Sequence, residues 1–229
     1  MSGDAVRKGK VGRPARLSQE AIVAAADRVL RAEGSDGLSM RRLAKELGST
    51  PMALYHHVRD KDELLLLVLE AHARHIPRRV FSDDPRERLF EAACTLYEGL
   101  SERLWIIEVL ASDAHIVPTA MPMVEVVMAA AVSCGCTPEQ AVDVYRSMWY
   151  YIVGSLVIRA NQERSKARAE GPLAKDDALA HLGSADLPTI AAIADRWTEL
   201  TTRDTHRAGL AALVNGLLPP RPSRQLGSP

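Results

Sequence analysis

Between Ser39 and Val58 lie two stretches of helical character, each barely two turns long and joined through Gly48-Ser49. Helices this short do not persist alone in water, because the cost of ordering the first turn is recovered only over many later residues. They must be held by each other and by a neighbour, through Leu43, Ala44, Leu47, Leu54 and Val58. Ser39 is placed to cap the first, with Leu38 positioned to staple onto Leu43. Thr50 caps the second, with Pro51 at the first helical position, where a missing N–H is no loss. Two short helices around a tight glycine turn form the helix-turn-helix pattern.

The flanking sequence supplies the neighbours. Ser18 caps a helix whose inner face is Ile22, Ala25, Ala26 and Val29, and Gly34 ends it. Asp60 and Glu63 have capping-box spacing at the start of a fourth helix, which carries Leu64, Leu67, Val68 and Ala71 on one side and stops at Pro77. On the third helix, Leu54 and Val58 are i and i+4 and turn inward. At about 100° per residue, Met52 and His56 then face away, flanked by Ala53 and Tyr55. A major groove accepts such a face, since it offers thymine methyls and a phosphate wall. Packing of Tyr55 against a neighbouring helix is the alternative. The N-terminus of the second helix, with Ser39, Met40 and Arg41, and the start of the third, with Thr50 and Pro51, complete the candidate contact set. Free N–H groups at a helix N-terminus favour a phosphate.

Net charge is zero over 229 residues, but it is unevenly spread. Residues 1–78 carry 14 Lys or Arg against 10 Asp or Glu, and the remainder 15 against 19. A basic front can bind DNA regardless of the total, because the local field governs the encounter. The arm holds Arg7, Lys8, Lys10, Arg13 and Arg16 against Asp4 alone. Arg13, within Gly12-Arg13-Pro14, is either a minor-groove contact or part of an unstructured basic tail.

The rest of the chain also reads as helix, with no strand pattern and no internal repeat. Helices are expected over 85–103, 105–112, from about 122 to 134, 138–161, 189–201 and 205–218. A mobile loop is expected over 164–188, and a disordered tail from Pro219. The expected organisation is therefore a basic arm (1–16), a three-helix DNA-binding head (17–62), a helical ligand-binding and dimerising body (63–218) and the tail (219–229). The fold class is all-α. The helix after Thr137 is apolar on two faces, Val142, Tyr145, Trp149 and Ile152 on one and Val144, Met148 and Tyr151 on the other. Apolar residues all round require cover on all sides. The last helix has Leu210, Leu213, Val214 and Leu217, with small Gly209, Ala212 and Gly216 suited to close approach. A homodimer through helices near 138–161 and 205–218 follows. Tyr97, Trp105, His115, Met121, Met128, Tyr145 and Trp149 are more aromatic and methionine side chains than so small a core needs. Such residues line adaptable ligand sites. Plain core packing is the alternative for each.

Several classes are excluded or disfavoured. The longest apolar run, Leu64 to Leu69, is far below the roughly 20 residues of a membrane span. No apolar segment follows the basic N-terminus as in a secretory signal, so a cytoplasmic location is expected. Cys94, Cys134 and Cys136 have no zinc-ligand spacing and are expected as buried thiols. His72 and His75 are i and i+3, but no third metal ligand accompanies them, and neither a metal nor another cofactor is expected. Nucleophile elbow, phosphate loop and dinucleotide fingerprint are all missing, so no catalytic residues are assigned.

Residues 17–72 resemble the DNA-binding domain of the tetracycline-repressor family. The resemblance rests on Gly37-Leu38-Ser39-Met40-Arg41-Arg42-Leu43-Ala44-Lys45-Glu46-Leu47-Gly48 and on Ala53-Leu54-Tyr55-His56-His57-Val58-Arg59-Asp60-Lys61-Asp62-Glu63-Leu64-Leu65. It implies that Tyr55, His57 and Lys61 hold the phosphate backbone and that Arg41 reaches a base or a phosphate. It implies a twofold dimer built on a four-helix bundle, with reading helices about 34 Å apart, or a multiple of that, on a palindromic operator. It also implies a repressor released by a small molecule, with the fourth helix as the lever between head and body.

Two departures limit what carries over. Thr50, Pro51, Met52 and Ala53 stand where base readers are expected, and none is a bidentate reader of guanine or adenine. Discrimination then rests on Arg41, methyl contacts and DNA shape. Where the drug-binding repressor has a magnesium-assisting histidine, this chain has Pro77, with His75 nearby. A different, mostly apolar effector is expected. The alternative reading is a helical ligand-binding or protein-interaction module without sequence-specific DNA binding.

Overall fold

A computed structural model describes residues 17–76, 79–112, 117–167 and 187–221. Among these residues all regular structure is helical. The chain divides into two compact units, one ending at Val68 and the other beginning at Leu69.

The first unit contains α1 (Gln19–Glu33), α2 (Met40–Glu46), α3 (Pro51–Tyr55) and the first part of α4 (Lys61–Ala73). Its caps are those the sequence provides. Ser18 Oγ accepts from the Ala21 N–H at 3.2 Å, Ser39 Oγ from that of Arg42 at 3.2 Å, and Thr50 Oγ1 from that of Ala53 at 3.3 Å. α3 is shorter than expected: its helical residues end at Tyr55, and His57 and Val58 both donate to the Leu54 carbonyl as the chain turns out. Gly48 has φ of 60°, the left-handed region that closes α2 and sets up the turn into α3. Ile22, Leu30, Leu43, Leu54 and Leu64 are fully buried, so each short helix is pinned by at least one aliphatic side chain. The expected boundary at 62/63 falls earlier than the observed division, because Leu64, Leu65 and Val68 are buried on the near side of it.

The second unit contains the end of α4, then α5 (Pro85–Ser101), α6 (Leu104–Ser112), a 3-10 turn (Pro118–Ala120), α7 (Met121–Ser133) and α8 (Pro138–Ala167). After residue 187 come α9 (Pro188–Ala191), a second 3-10 turn (Ala194–Arg196), α10 (Trp197–Thr202) and α11 (His206–Leu217). α5 packs on α7, α8 and α11, and α6 on α8. Leu89, Ile107, Met148, Ile152, Leu156 and Leu210 are the fully buried large side chains of this core. Asp84 caps α5 by accepting from the N–H groups of Arg86 and Glu87 at 2.9 and 3.0 Å. Arg86 then reaches the far end of the unit and donates to the carbonyls of Val214 (3.3 Å) and Pro219 (2.5 Å).

Three expectations change here. α8 continues to Ala167, six residues past the expected end near 161, so the loop expected over 164–188 begins later and Pro188 already opens α9. The part of that loop between residues 168 and 186 lies outside the described residues, as do 222–229 of the tail. The helix expected over 189–201 is three short pieces, α9, the 3-10 turn and α10. Gly209 makes room inside its own chain: a Cβ there would stand 1.9 Å from the Tyr151 hydroxyl on α8.

Candidate functional site

The first unit presents one exposed face. Leu54 (0% exposed) and Val58 (2%) point inward, and Met52 (69%) and Tyr55 (46%) stand out from α3. Thr50, Pro51 and His56 are also exposed, while Ala53 and His57 are half-buried. Exposure of a methionine and a tyrosine on one helical turn leaves apolar surface that solvent alone does not stabilise. Arg41 and Ser39 are exposed at the start of α2. Arg41 has no side-chain partner among the described residues. Arg42 beside it is committed, with both Nη atoms on the Glu33 carboxylate at 3.1 and 2.5 Å. Lys61 is half-buried and donates from Nζ to the Ser35 carbonyl at 3.1 Å. Gln19 donates to the His57 carbonyl at 3.2 Å, which ties the α3–α4 turn to the start of α1.

Met40 does not belong to this face. It is buried, because positions 40, 43 and 44 share one side of α2 at i, i+3 and i+4 and all three turn inward. That spacing was already legible in the sequence. Arg13 lies outside the described residues.

Within the second unit is a cavity of about 400 Å³. α4 contributes Leu69, His72 and Ala73, and α5 contributes Thr95, Leu96, Gly99 and Leu100. Ile106 and Leu110 of α6, Met121 and Val124 of α7, and Tyr145 and Trp149 of α8 add apolar wall. Charged and polar groups line it as well. Arg79 Nη1 is 3.8 Å from Glu98, and Arg103 Nη1 is 3.2 Å from Glu102. Buried Thr95 donates its hydroxyl to the Glu91 carbonyl at 2.9 Å, which leaves its oxygen able to accept. Burial pushes the Tyr145 hydroxyl above its ordinary pKa, so it stays a donor.

Of the seven candidate ligand residues, Met121, Tyr145 and Trp149 line this cavity. Tyr97 does not; its ring lies flat on His206, centroids 4.1 Å apart and planes 4° apart, within the α5–α11 contact. Met128 shares the α7 face of Met121 and Val124 but stands a turn further along the helix, where it packs half-buried against the core and does not line the cavity. Trp105 is buried with its edge to the His72 ring at 5.2 Å, one layer back from the cavity, and its Nε1 has no partner among the described residues. His115 lies outside the described residues. The lining residues missed were mostly aliphatic, such as Leu69, Leu100 and Ile106, with small or charged ones such as Thr95 and Arg103. A search for aromatic and methionine side chains passes over them. His72 and His75 both border the cavity, and His75 Nδ1 is 2.8 Å from the Ala71 carbonyl. No group of three or more candidate metal ligands occurs among the described residues. No helix among them is long and apolar enough to cross a membrane.

Comparison with known proteins is consistent across both units. The family model for bacterial regulatory proteins of the tetR family matches residues 22–68, and that for the tetracyclin repressor-like C-terminal domain matches residues 81–219. The HTH-type transcriptional repressor DrrR1 of Streptomyces coeruleorubidus is 31% identical over 167 residues, 72% of this chain. The aligned part spans only 62% of that relative's length. ActR of Streptomyces coelicolor, solved in complex with actinorhodin, superposes with a TM-score of 0.70 at 25% identity, covering 89% of this chain and 96% of ActR. BioQ, solved with its natural double-stranded DNA operator, gives 0.62 at 25% identity, covering 88% of this chain and 98% of that one. The chain belongs to the tetR family of bacterial regulatory proteins.

Proposed function

We propose that this chain is a DNA-binding transcriptional regulator of the cytoplasm, a repressor that engages a palindromic operator as a homodimer and is released by a small, mostly apolar effector. The observation that carries the reading is the outward face of α3, where Met52 and Tyr55 are exposed on a single turn fixed from beneath by Leu54 and Val58. With His56 alongside, and Arg41 nearby without a side-chain partner among the described residues, that face has the apolar and cationic groups a groove accepts. Tyr55, His57 and Lys61 take phosphates, and Ser39 and Thr50 add hydroxyls at the helix starts.

The dimer reading is supported by α8 and α11. Tyr150 (60% exposed), Ile158 (60%) and Val142 (40%) stand out from α8. Gly154 on α8 and Gly216 on α11 are both exposed, and a Cβ at either would meet nothing within 4 Å of its own chain. Apolar side chains interspersed with glycine suit the close approach of a second copy. The effector reading is supported by the cavity, whose volume suits a drug-sized compound. The actinorhodin bound to ActR and the operator bound to BioQ show that proteins of this fold take both kinds of partner.

Gel-shift titration of the purified chain against DNA flanking its own gene tests the reading. A specific band at moderate salt, weakened by Tyr55→Ala, is expected. A chain that binds that DNA no better than a scrambled duplex would refute it.

A further inference from the structure

α3 is five residues long and is held from beneath by Leu54 and Val58, which stand one above the other at i and i+4. Two anchors on one line keep a helix down but do not by themselves stop it from rocking about that line. α2 is steadied differently. Arg42, in its first turn, forks onto Glu33, and Glu46, at its end, accepts from Arg28 Nε and Nη2 at 3.2 and 3.0 Å, so α1 grips it at both ends. α3 has no ion pair of this kind among the described residues.

α1 reaches it by another route. The His57 carbonyl lies beyond the last helical residue of α3, where no further turn of helix brings it a donor. Gln19, in the first turn of α1, supplies one: its Nε2 donates to that carbonyl at 3.2 Å, across 38 residues of chain. Among the described residues, no other side-chain hydrogen bond reaches residues 51–58 from another helix. The His57 N–H donates to the Leu54 carbonyl at 2.8 Å, so both backbone polar groups of this residue are committed and the direction of its Cα–Cβ bond is set. The next residue of α1 meets the same histidine. The Glu20 carboxyl is held below its ordinary pKa by its own N–H and by the Ser18 hydroxyl, with the His57 ring adding to the effect. Backbone and ring of His57 are thus both engaged by one turn of α1.

We propose that Gln19 is a positioning residue for DNA binding: its bond to the His57 carbonyl fixes the direction in which His57 leaves the backbone, and with it the reach of the imidazole to a phosphate. The proposal rests on the reading that assigns His57 to the phosphate backbone. Gln19 itself needs no contact with DNA. A hydrogen bond to a phosphate oxygen keeps its strength over a window of about half an ångström, and a turn free to rock spreads the ring beyond it.

The test uses the full chain, the duplex flanking its own gene and a scrambled duplex, with affinities read by fluorescence anisotropy. Gln19→Met keeps the length of the side chain and removes the donor. Gln19 is exposed, and a melting temperature within about 2 °C of wild type shows that the fold is kept. Gln19→Met is expected to weaken binding to the flanking duplex about fivefold in the wild-type background, and by less than about twofold in the His57→Ala background. A merely structural loss would act alike in both. Gln19→Ala, with its higher helix propensity, is expected to give the same pattern. A loss from Gln19→Met that is equal in the two backgrounds overturns the proposal alone, and so does no loss in either. Unchanged binding by His57→Ala in the otherwise wild-type chain overturns it together with the phosphate role of His57. A wild-type chain that binds the two duplexes alike overturns it together with the DNA-binding reading.

Discussion

Lys61 donates from Nζ to the backbone carbonyl of Ser35 at 3.1 Å, across 26 residues of chain. This bond holds the start of α4 to the loop after α1. It also means that the cation assigned to a phosphate is already engaged when no DNA is present. Lys61→Gln separates the two roles. If the ammonium moves onto a phosphate, binding weakens on every duplex, and the slope of log affinity against log salt falls by about one ion. If it stays on Ser35, the melting temperature falls but the slope is unchanged. The first pattern is expected, measured by gel shift over a salt series.

Gly48 gives a clean measure of the turn between α2 and α3. Its φ of 60° disfavours any side chain, yet a Cβ there would meet nothing within 4 Å. The cost of substitution is therefore backbone strain alone. Gly48→Ala is expected to lower unfolding stability by about 1 kcal/mol, and Gly48→Asn by less, because asparagine tolerates the left-handed region. Urea denaturation of the two variants checks this, and equal stability of all three chains would contradict it.

The head was readable because its signals are local. Ser39, Thr50 and Gly48 act within a few residues of themselves, and Leu54 and Val58 fix the orientation of α3 by spacing alone. Met40 misled by adjacency to Arg41, although its spacing to Leu43 and Ala44 pointed inward. The cavity was readable only in part, because its walls come from residues separated by up to 80 positions, Leu69 to Trp149. Tyr97 and Met128 carry the same chemistry as Tyr145 and Met121, and only the packing of α5 against α11 and of α7 against the core tells them apart.

The cap of α5 ties stability to acid pH. The N–H of Glu87 holds the Asp84 carboxyl below its ordinary pKa, helped by Arg221 and Arg86 and opposed by slight burial. A carboxyl lowered in the folded chain stabilises it above the unfolded value, and that contribution is lost as the pH falls through the lowered one. Asp204, lowered chiefly by its hydrogen bond with His206, acts with the same sign. Stability should therefore be level near neutrality and decline below about pH 4. Asp84→Asn keeps a capping oxygen without the charge and should show a shallower decline, read from thermal melts over a pH series. An unchanged acid profile would remove Asp84 from the account.

Thr119 donates both its N–H, at 3.2 Å, and its hydroxyl to the Glu70 carboxylate. Its neighbour Ala120 and the nearby Val117 and Met121 line the cavity, and Glu70 stands on α4 between the lining residues Leu69 and His72. α4 is also the helix that begins at Lys61, which the proposed function places against DNA. A compound pressing on Met121 therefore bears on the same short turn that grips α4. Thr119→Val keeps the shape, leaves the N–H donor and removes the hydroxyl, at a stability cost of about 1–2 kcal/mol. DNA affinity without a small molecule should be little changed. The factor by which a compound bound in the cavity lowers that affinity, a coupling typically of about 1–3 kcal/mol in such systems, should shrink. Glu70→Gln should shrink it as well, and the double variant no further, since both act through one contact. Fluorescence anisotropy of labelled operator with and without that compound measures all four chains; full coupling in Thr119→Val would place the link elsewhere on α4.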